Sequence, residues 1–310
     1  MLRIAVPDLV SNSYFPAIAA VELGFFKNAG YDASIDLLFP IPKTFEALRD
    51  GELDFVVGSA HATLLAFPEW QGAKLLAAVG QHTYWFLVIR SDLNPQRGDL
   101  SVTKGLRIGA APGVNLSLQR LLVEAGIDPE KNNVQIMPIP GAAGPNVSFG
   151  LSAAKALEEG KLDGFWANGM GCEVAVRRGV GTMVLDVRRG DGPPAARDYT
   201  FSALVTTEKR INDQPESVYA AIRALMKAHK ALKEDVGLAT RVGKKRFPQA
   251  EADLIAELVR RDLPYYDAVI PEAKVVSMNR FAHDIGLLAG SVPYDRVVAT
   301  EFSHLWNEPV

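Results

Sequence analysis

The stretches ALRDGELDF at residues 47–55 and ALEEGKLDGF at residues 156–165 repeat one phrase within this chain. In both, Ala-Leu precedes two charged residues, a glycine, a charged residue and Leu-Asp before an aromatic residue. A helix that ends at the glycine and leads into a buried strand fits both copies, because glycine adopts the left-handed backbone at little cost. We therefore predict that Gly51 and Gly160 end equivalent helices, and that two related α/β units each finish with the same helix–turn–strand motif.

Strand-like and helical patterns alternate around both copies of the phrase. In the first half we predict strands at 2–6, 33–38 and 55–58 and helices at 16–29 and 44–49. The pattern then restarts, with strands at 106–110, 134–139 and 164–167 and helices at 116–125 and 152–158. Alternation of this kind predicts βαβ units with parallel sheets. One more strand over 201–211, a long helix over 215–234 and further helices follow, and we expect the last helices to pack on an existing lobe.

Composition limits the classes of protein to consider. The chain of 310 residues is 48% hydrophobic and 22% charged, and its net charge of −3 gives no reason to expect a nucleic-acid partner. No apolar run is long enough to predict a membrane span. A single cysteine, Cys172, rules out a disulfide within the chain. The sequence begins on a strand, so we expect a cytoplasmic protein or one whose export signal was removed. We also expect a monomer.

Motifs for cofactors, metals and covalent catalysis are incomplete. The sequence has no P-loop, its glycine-rich turns lack the third glycine of a dinucleotide fingerprint, and its five histidines show no metal-binding spacing. Ser152 and Lys155 match S-x-x-K without the partner motifs that this chemistry needs. No neighbouring histidine or asparagine marks Cys172 as a nucleophile. We therefore expect no cofactor, no metal and no catalytic residue, and predict that the protein is not an enzyme.

The motifs, taken in order, resemble solute-binding proteins of the NMT1/THI5-like group, which includes sulfonate-, taurine- and nitrate-binding components of ABC importers. The first helix region contains Glu-Leu-Gly-Phe-Phe at residues 22–26, then Gly30 and Tyr31. The phrase at 47–54 is similar to the next landmark of the group, and residues 102–139 with 156–165 resemble its second lobe. The resemblance covers about residues 3–235.

This resemblance implies an α/β fold of the type II periplasmic-binding-protein kind, with two similar α/β lobes joined by two hinge crossings. We place the crossings near residues 87–90 and 201–205. Lobe one is then 1–88 plus 203–310, and lobe two is 89–202. In this fold a ligand lies in a cleft between the lobes, which close over it. The resemblance also implies an ABC permease as the partner that receives the ligand.

Ligands of open α/β sheets bind beyond the carboxyl ends of the strands, where helix N-termini offer free backbone N–H groups. The strand exits give these candidates for ligand binding: Asn12, Ser13, Tyr14, Lys43, Ser59, His61, Gly113, Asn115, Ser117, Asn146, Trp166 and Asn168. Structural roles stay open for several of them: the serines as helix caps, Asn115 and Asn168 in turns, and His61 as a buried hydrogen-bonded side chain.

The candidates are rich in hydroxyl and amide groups, so we expect a small anionic or neutral organic ligand. The alternative is a cytoplasmic enzyme on the same fold. Pyrimidine synthases of this group use a cysteine-rich motif that this sequence lacks, whereas menaquinone-pathway enzymes and aromatic-acid decarboxylases stay open. Loop side chains set specificity, so the sequence names no ligand.

Overall fold

The computed structural model describes residues 1–142 and 147–308, which divide into two compact units. Unit 1 contains Met1–Gln81 and, within the described residues, 200–308, and unit 2 is His82–Tyr199. The boundaries predicted from the sequence lie after residues 88 and 202. The difference at the first boundary arises because the strand over Phe86–Arg90 forms its hydrogen bonds inside unit 2.

The described residues form ten strands, five in each unit. In chain order the strands are β1 Leu2–Val6, β2 Ala33–Leu37, β3 Phe55–Ser59, β4 Ala73–Gly80, β5 Phe86–Arg90, β6 Arg107–Ala110, β7 Gln135–Met137, β8 Gly164–Ala167, β9 Gly181–Asp186 and β10 Ser202–Thr207.

The same residues form twelve α-helices. In chain order they are α1 Phe15–Glu22, α2 Phe25–Asn28, α3 Ile41–Arg49, α4 Asn115–Glu124, α5 Phe149–Glu158, α6 Gly169–Arg177, α7 Glu208–Asp213, α8 Pro215–Glu234, α9 Gly237–Arg246, α10 Gln249–Asp262, α11 Glu272–Asp284 and α12 Tyr294–Val297. Short 3₁₀ helices lie at Ala60–Leu65, Pro68–Trp70, Ser91–Leu93, Leu100–Thr103, Val187–Arg189, Pro194–Asp198, Leu263–Tyr265 and Thr300–Asn307.

The two sheets have the same topology. The unit 1 sheet has the strand order β2-β1-β3-β10-β4, and the unit 2 sheet has the order β7-β6-β8-β5-β9. In each, three parallel strands are followed by one strand that runs antiparallel to them. This strand is β10 in unit 1 and β5 in unit 2. The predicted α/β fold with two similar lobes is confirmed.

The repeated phrase has the same structural role in each unit. Gly51 and Gly160 both have left-handed backbones, with φ of 79° and 68°, and follow α3 and α5 as predicted. The aspartate of the phrase then fixes the neighbouring strand: Asp54 Oδ2 accepts from the backbone N–H of Arg3 at 2.7 Å, and Asp163 Oδ2 from that of Arg107 at 3.0 Å. Leu-Asp therefore marks the place where the central parallel strands of each sheet start side by side.

Two predicted elements differ from the structure. The helix predicted over 16–29 is two helices, α1 and α2, because Gly24 between them has a left-handed backbone with φ of 78°. The strand predicted from residue 201 stops at Thr207, whose hydroxyl accepts from the backbone N–H of Arg210 and begins α7. An N-terminal cap of this kind favours a helix directly after the strand.

The C-terminal third belongs to unit 1, in agreement with the expectation that the last helices pack on an existing lobe. Its long helix α8 packs on α1, and the final 3₁₀ helix packs on β4. There Trp306, 8% exposed, donates its indole N–H to the Leu76 carbonyl at 2.8 Å. Residues from the end of the chain therefore pack on β4, the strand at one edge of the unit 1 sheet.

Candidate functional site

The carboxyl ends of the parallel strands lie at one edge of each sheet. We call edge 1 the end of the unit 1 sheet where β1 to β4 finish and β10 begins; it comprises residues 7–14, 38–44, 60–61, 81 and 200–201. We call edge 2 the corresponding end of the unit 2 sheet, which comprises residues 84–85, 111–117, 138–142, 168 and 187–188. The described candidates lie in edge 1 or edge 2 or are the last residue of a strand that leads into one. Trp166 is the exception, because it lies one residue before the end of β8.

At edge 1, His61 is a buried and neutral histidine. Its Nδ1 lies 2.9 Å from the Thr200 hydroxyl, and its ring packs edge-on against Phe281 of α11 with centroids 5.2 Å apart. Burial lowers its pKa to about 3, because a charged imidazole would lose its hydration. His61 therefore carries no charge at neutral pH and acts as a hydrogen-bonding group. Ser59, the last residue of β3, is likewise fully buried.

Asn12 and Ser13 lie in the loop between β1 and α1. The Asn12 side chain is 2% exposed and donates from Nδ2 to Asp262 Oδ2 at 2.7 Å. Within the described residues, Asn12 Oδ1 and the Ser13 hydroxyl are buried and form no hydrogen bond. Tyr14, 5% exposed, follows them at the start of α1. Sequence reasoning missed Asp262, because it follows Asn12 by 250 positions and no local pattern connects them.

Two lysines lie on helices near edge 1. Lys43 is exposed on the first turn of α3, where a lysine is normally solvated. Lys274 of α11 is 9% exposed, and its ammonium group lies 5.9 Å from the centre of the Phe201 ring, a cation–π arrangement. The structure therefore places a buried cation beside β10 that the sequence analysis did not include.

At edge 2, four candidates form two hydrogen-bonded groups at the start of α4. Gly113 has φ of 86° and donates its N–H to Asn115 Oδ1 at 3.0 Å. Ser117 donates to the Val114 carbonyl at 2.6 Å and accepts from the Trp166 indole N–H at 2.9 Å. Trp166 and Ser117 are fully buried. The structure brings these four candidates together, and these hydrogen bonds fix their positions.

Asn168 begins α6 at edge 2. Its Oδ1 accepts from the backbone N–H of Gly171 at 3.1 Å, which is an N-terminal cap. Its side chain also lies against α5, where a Cβ atom on Gly150 would be 2.6 Å from Asn168 Oδ1. The predicted candidate Asn146 lies outside the described residues.

Arg188 is the cation of edge 2, and sequence reasoning missed it. It follows β9 directly, is 4% exposed, and its guanidinium lies 6.0 Å from the centre of the Tyr84 ring. Trp85 continues this aromatic cluster, with its ring centroid 5.4 Å from that of Tyr84 and 6.0 Å from that of Trp166. The sequence predicts no strand at 181–186, so the exit that contains Arg188 is not among the predicted loops.

The described residues hold no group of three or more histidine, cysteine or carboxylate side chains arranged to bind a metal ion. Nor does any helix over residues 1–142 and 147–308 have the length and apolar character of a membrane span. Over that same part of the chain, the polar groups of the two edges are hydroxyls, amides, carboxylates, a neutral imidazole and the cations Lys43 and Arg188, with the buried Lys274 beside edge 1.

The chain belongs to the NMT1/THI5 like family, whose model matches residues 11–235. No curated protein matches the chain by sequence. Family membership confirms the resemblance described from the motifs.

Solved structures share the fold over nearly the whole chain at low identity. A protein of Bordetella bronchiseptica RB50 is 19% identical with a TM-score of 0.78, over 99% of this chain and 96% of that one. The periplasmic sulfonate-binding protein SsuA of a putative sulfonate ABC transporter from Methylobacillus flagellatus KT is 17% identical with a TM-score of 0.65, over 98% and 94%. The desulfurization enzyme DSZB is 14% identical with a TM-score of 0.65, over 98% of both chains.

Proposed function

We propose that this protein is the solute-binding component of an ABC importer and that it binds a small organic anion. The family and the similarity to a periplasmic sulfonate-binding protein support this function. The fold also occurs in an enzyme, so the choice between binding and catalysis depends on the groups at the two edges. We further propose a periplasmic location and a permease as the partner that receives the ligand.

The observation that carries the proposal is Arg188 at edge 2. Arginine presents a planar set of N–H donors that matches the oxygens of a carboxylate or a sulfonate, and such charge-assisted bonds are stronger than neutral ones. Its position over the Tyr84 ring holds the guanidinium at the end of β9, next to the start of β5. A fixed, buried cation at the carboxyl edge of a sheet is suited to the anionic end of a ligand.

The candidate residues then have two proposed roles. At edge 2, Gly113, Asn115, Ser117 and Trp166 hold the loop and ring positions around the anion, and Asn168 fixes the start of α6. At edge 1, the proposed ligand-binding groups are Asn12, Ser13, Tyr14, Lys43, Ser59 and His61.

Cysteine-based catalysis finds little support in the described residues. The sole thiol, Cys172, lies on α6 and is 5% exposed, whereas a cysteine nucleophile needs access to its substrate and a depressed pKa. His61 is neutral at pH 7, and its Nδ1 lies 2.9 Å from the Thr200 hydroxyl. Binding without turnover is therefore the function that we favour over an enzyme of the same fold.

The experiment is calorimetric titration of the purified protein with small carboxylates, sulfonates, uncharged pyrimidines and polyamines, followed by mass spectrometry of the recovered ligand. We expect an anion to bind and to be recovered unchanged. Arg188→Gln should weaken the affinity about 10- to 100-fold, the usual effect of losing charge-assisted hydrogen bonds. Arg189→Gln is the matched control, because the neighbouring side chain is 42% exposed and pairs with Asp186.

Binding of cations alone would refute the anion site. Chemical conversion of the ligand would instead support the enzymatic alternative. If Arg188→Gln and Arg189→Gln bind the anion equally well, Arg188 is not the residue that binds it.

A further inference from the structure

Unit 1 contains a groove of about 340 Å³ between α11 and the loop that follows this helix. Four residues at helical spacing line it on α11 and therefore share one face of the helix: Val276, Asn279, Arg280 and His283. Residues 290–292 form the opposite wall. All of these residues belong to unit 1, so the groove is complete within one unit, and its volume is within the range of small-molecule pockets.

Both walls of the groove are held by a turn with an unusual backbone. Glu69 and Trp70 are consecutive non-glycine residues with left-handed φ values of 53° and 58°. This conformation is costly for residues with a side chain and persists only where the surrounding contacts impose it. Glu69 Oε1 accepts from the Ala289 N–H at 2.9 Å, directly before the loop wall. The buried Trp70 donates its indole N–H to Asn279 Oδ1 at 3.1 Å, so the turn fixes α11 as well as the loop.

The bond from Trp70 also decides which atom Asn279 offers to a ligand. Because Oδ1 is already an acceptor, the remaining polar atom of the amide is the donor Nδ2. Within the described residues, Nδ2 has no hydrogen-bond acceptor. Asn279 is 7% exposed and lines the groove, so the amide is a fixed donor and not a mobile surface group.

Arg280 gives the groove a positive charge. The guanidinium is exposed, and no ion pair joins it to a carboxylate in the described part of the chain. Asp284, one turn further along α11, faces His283 instead, with Oδ1 3.7 Å from the histidine Nδ1. Arg280 is therefore the cation that remains for a ligand. Its planar set of N–H donors matches the two oxygens of a carboxylate.

Two valines give the groove an apolar part. Val276 is 61% exposed, and Val292 lies on the opposite wall. Covering such side chains removes apolar surface from water, which favours a ligand with a hydrocarbon body. The groove thus combines a cation, a fixed amide donor and an aliphatic surface.

We propose that this groove binds a small aliphatic carboxylate, in addition to the anion that we assign to Arg188. The carboxylate accepts from the Arg280 guanidinium and from Asn279 Nδ2, and the hydrocarbon part packs against Val276 and Val292. This inference does not rest on the proposed function, because an importer component and an enzyme of the same fold could both contain such a groove.

The test is an NMR titration of the ¹⁵N-labelled protein with 4-methylpentanoate and with 4-methylpentanamide, an uncharged compound of almost the same shape. We expect the carboxylate to shift the backbone amide signals of residues 289–292. It should bind about tenfold more tightly than the amide, the effect of one charge-assisted hydrogen bond. Arg188→Gln should leave these shifts unchanged, because Arg188 belongs to unit 2.

Arg280→Gln should weaken the binding of the carboxylate about tenfold and leave that of the amide almost unchanged. Arg260→Gln is the matched control, because Arg260 is exposed on α10 and does not line the groove. Gly290→Leu tests the shape of the site. A Cβ atom at Gly290 would meet no atom within 4 Å, so the new side chain needs no rearrangement of the fold and should fill the groove, abolishing the binding of both compounds.

Equal affinities for the carboxylate and the amide would overturn the proposal, as would a titration without shifts at residues 289–292. The same holds if Arg280→Gln and Arg260→Gln bind the carboxylate equally well, because binding would then reflect overall surface charge. A Gly290→Leu variant that still binds would place the ligand elsewhere. Should a variant fail to fold, the preference of the wild type for the carboxylate still decides the matter.

Discussion

His229 gives a stability prediction whose sign and size follow from its surroundings. It lies on α8 and is 4% exposed, its ring stacks on Tyr266 at 5.3 Å with planes 13° apart, and Nε2 bonds the Val79 carbonyl at 2.9 Å. Burial lowers the pKa of His229 to about 4. In the unfolded chain the pKa of histidine is about 6.5, so between these values the unfolded state binds more protons. The stability contributed by neutral His229 is therefore complete above pH 6.5 and is lost as the pH falls towards 4.

The magnitude follows from the two pKa values. A difference of about 2.5 pH units corresponds to about 3 kcal/mol when the loss is complete, and to about 2 kcal/mol at pH 5. His229→Phe keeps an aromatic ring against Tyr266, removes the titration and leaves the Val79 carbonyl without its donor. We expect the variant to lose about 1–3 kcal/mol at pH 7.5. Between pH 7.5 and 5 the wild type should then lose about 2 kcal/mol more than the variant.

The assay is urea-induced unfolding followed by circular dichroism at several pH values from 7.5 to 5. His283→Gln is the control, because the His283 side chain is 59% exposed and its loss should leave the pH dependence almost unchanged. Titration of His61 and of the carboxylates is common to all three proteins and cancels in the comparison. If the free energies of unfolding of wild type and His229→Phe run parallel over this range, the neutral, buried state of His229 is refuted.

Two further predictions concern unit 2. In Gly171→Ala the new Cβ would lie 2.6 Å from the Gly150 carbonyl oxygen, so α5 and α6 must separate and the free energy of unfolding should fall by about 1–3 kcal/mol. Gly290→Ala is the control, because no atom lies within 4 Å of its new Cβ. Equal melting temperatures for the two variants would contradict the packing. Arg107 lowers the pKa of Asp163 to about 2, so the ionised carboxylate stabilises the fold above pH 3.8 and this contribution is lost as the pH falls towards 2. After allowance for solvent screening, Asp163→Asn should cost about 1 kcal/mol at pH 7 and almost nothing near pH 2, and a urea-unfolding difference that does not change with pH would refute the assignment.

Much of the fold was predictable because its determinants are local. Gly51 and Gly160 end their helices through their own backbone conformation. The leucines that follow them, Leu53 and Leu162, are both buried. The break at Gly24 was not predicted, because apolar residues continue at helical spacing on both sides of it. The structure of α7 was missed for a similar reason, since the capping hydroxyl of Thr207 also suits the end of a strand.

The site was predictable in position and less so in composition. Strand exits are visible in the sequence, so the loops of edge 1 and edge 2 could be found without a structure. Asp262 and Lys274 reach edge 1 from the last third of the chain, and Arg188 follows a strand with no clear sequence pattern. Long-range packing decides which charged side chains are buried at an edge, and spacing along the chain contains little information about it.

The insertion of β10 between β3 and β4 has a consequence for synthesis on the ribosome. Unit 2 is a continuous segment and is complete once Tyr199 has emerged, whereas the sheet of unit 1 keeps an open seam until Thr207 follows. At translation rates of 5–20 residues per second, the seam persists for about 6–25 seconds after β4 is made. During that interval β3 and β4 present unpaired edges, and the newly made chain is then most exposed to aggregation and to capture by chaperones.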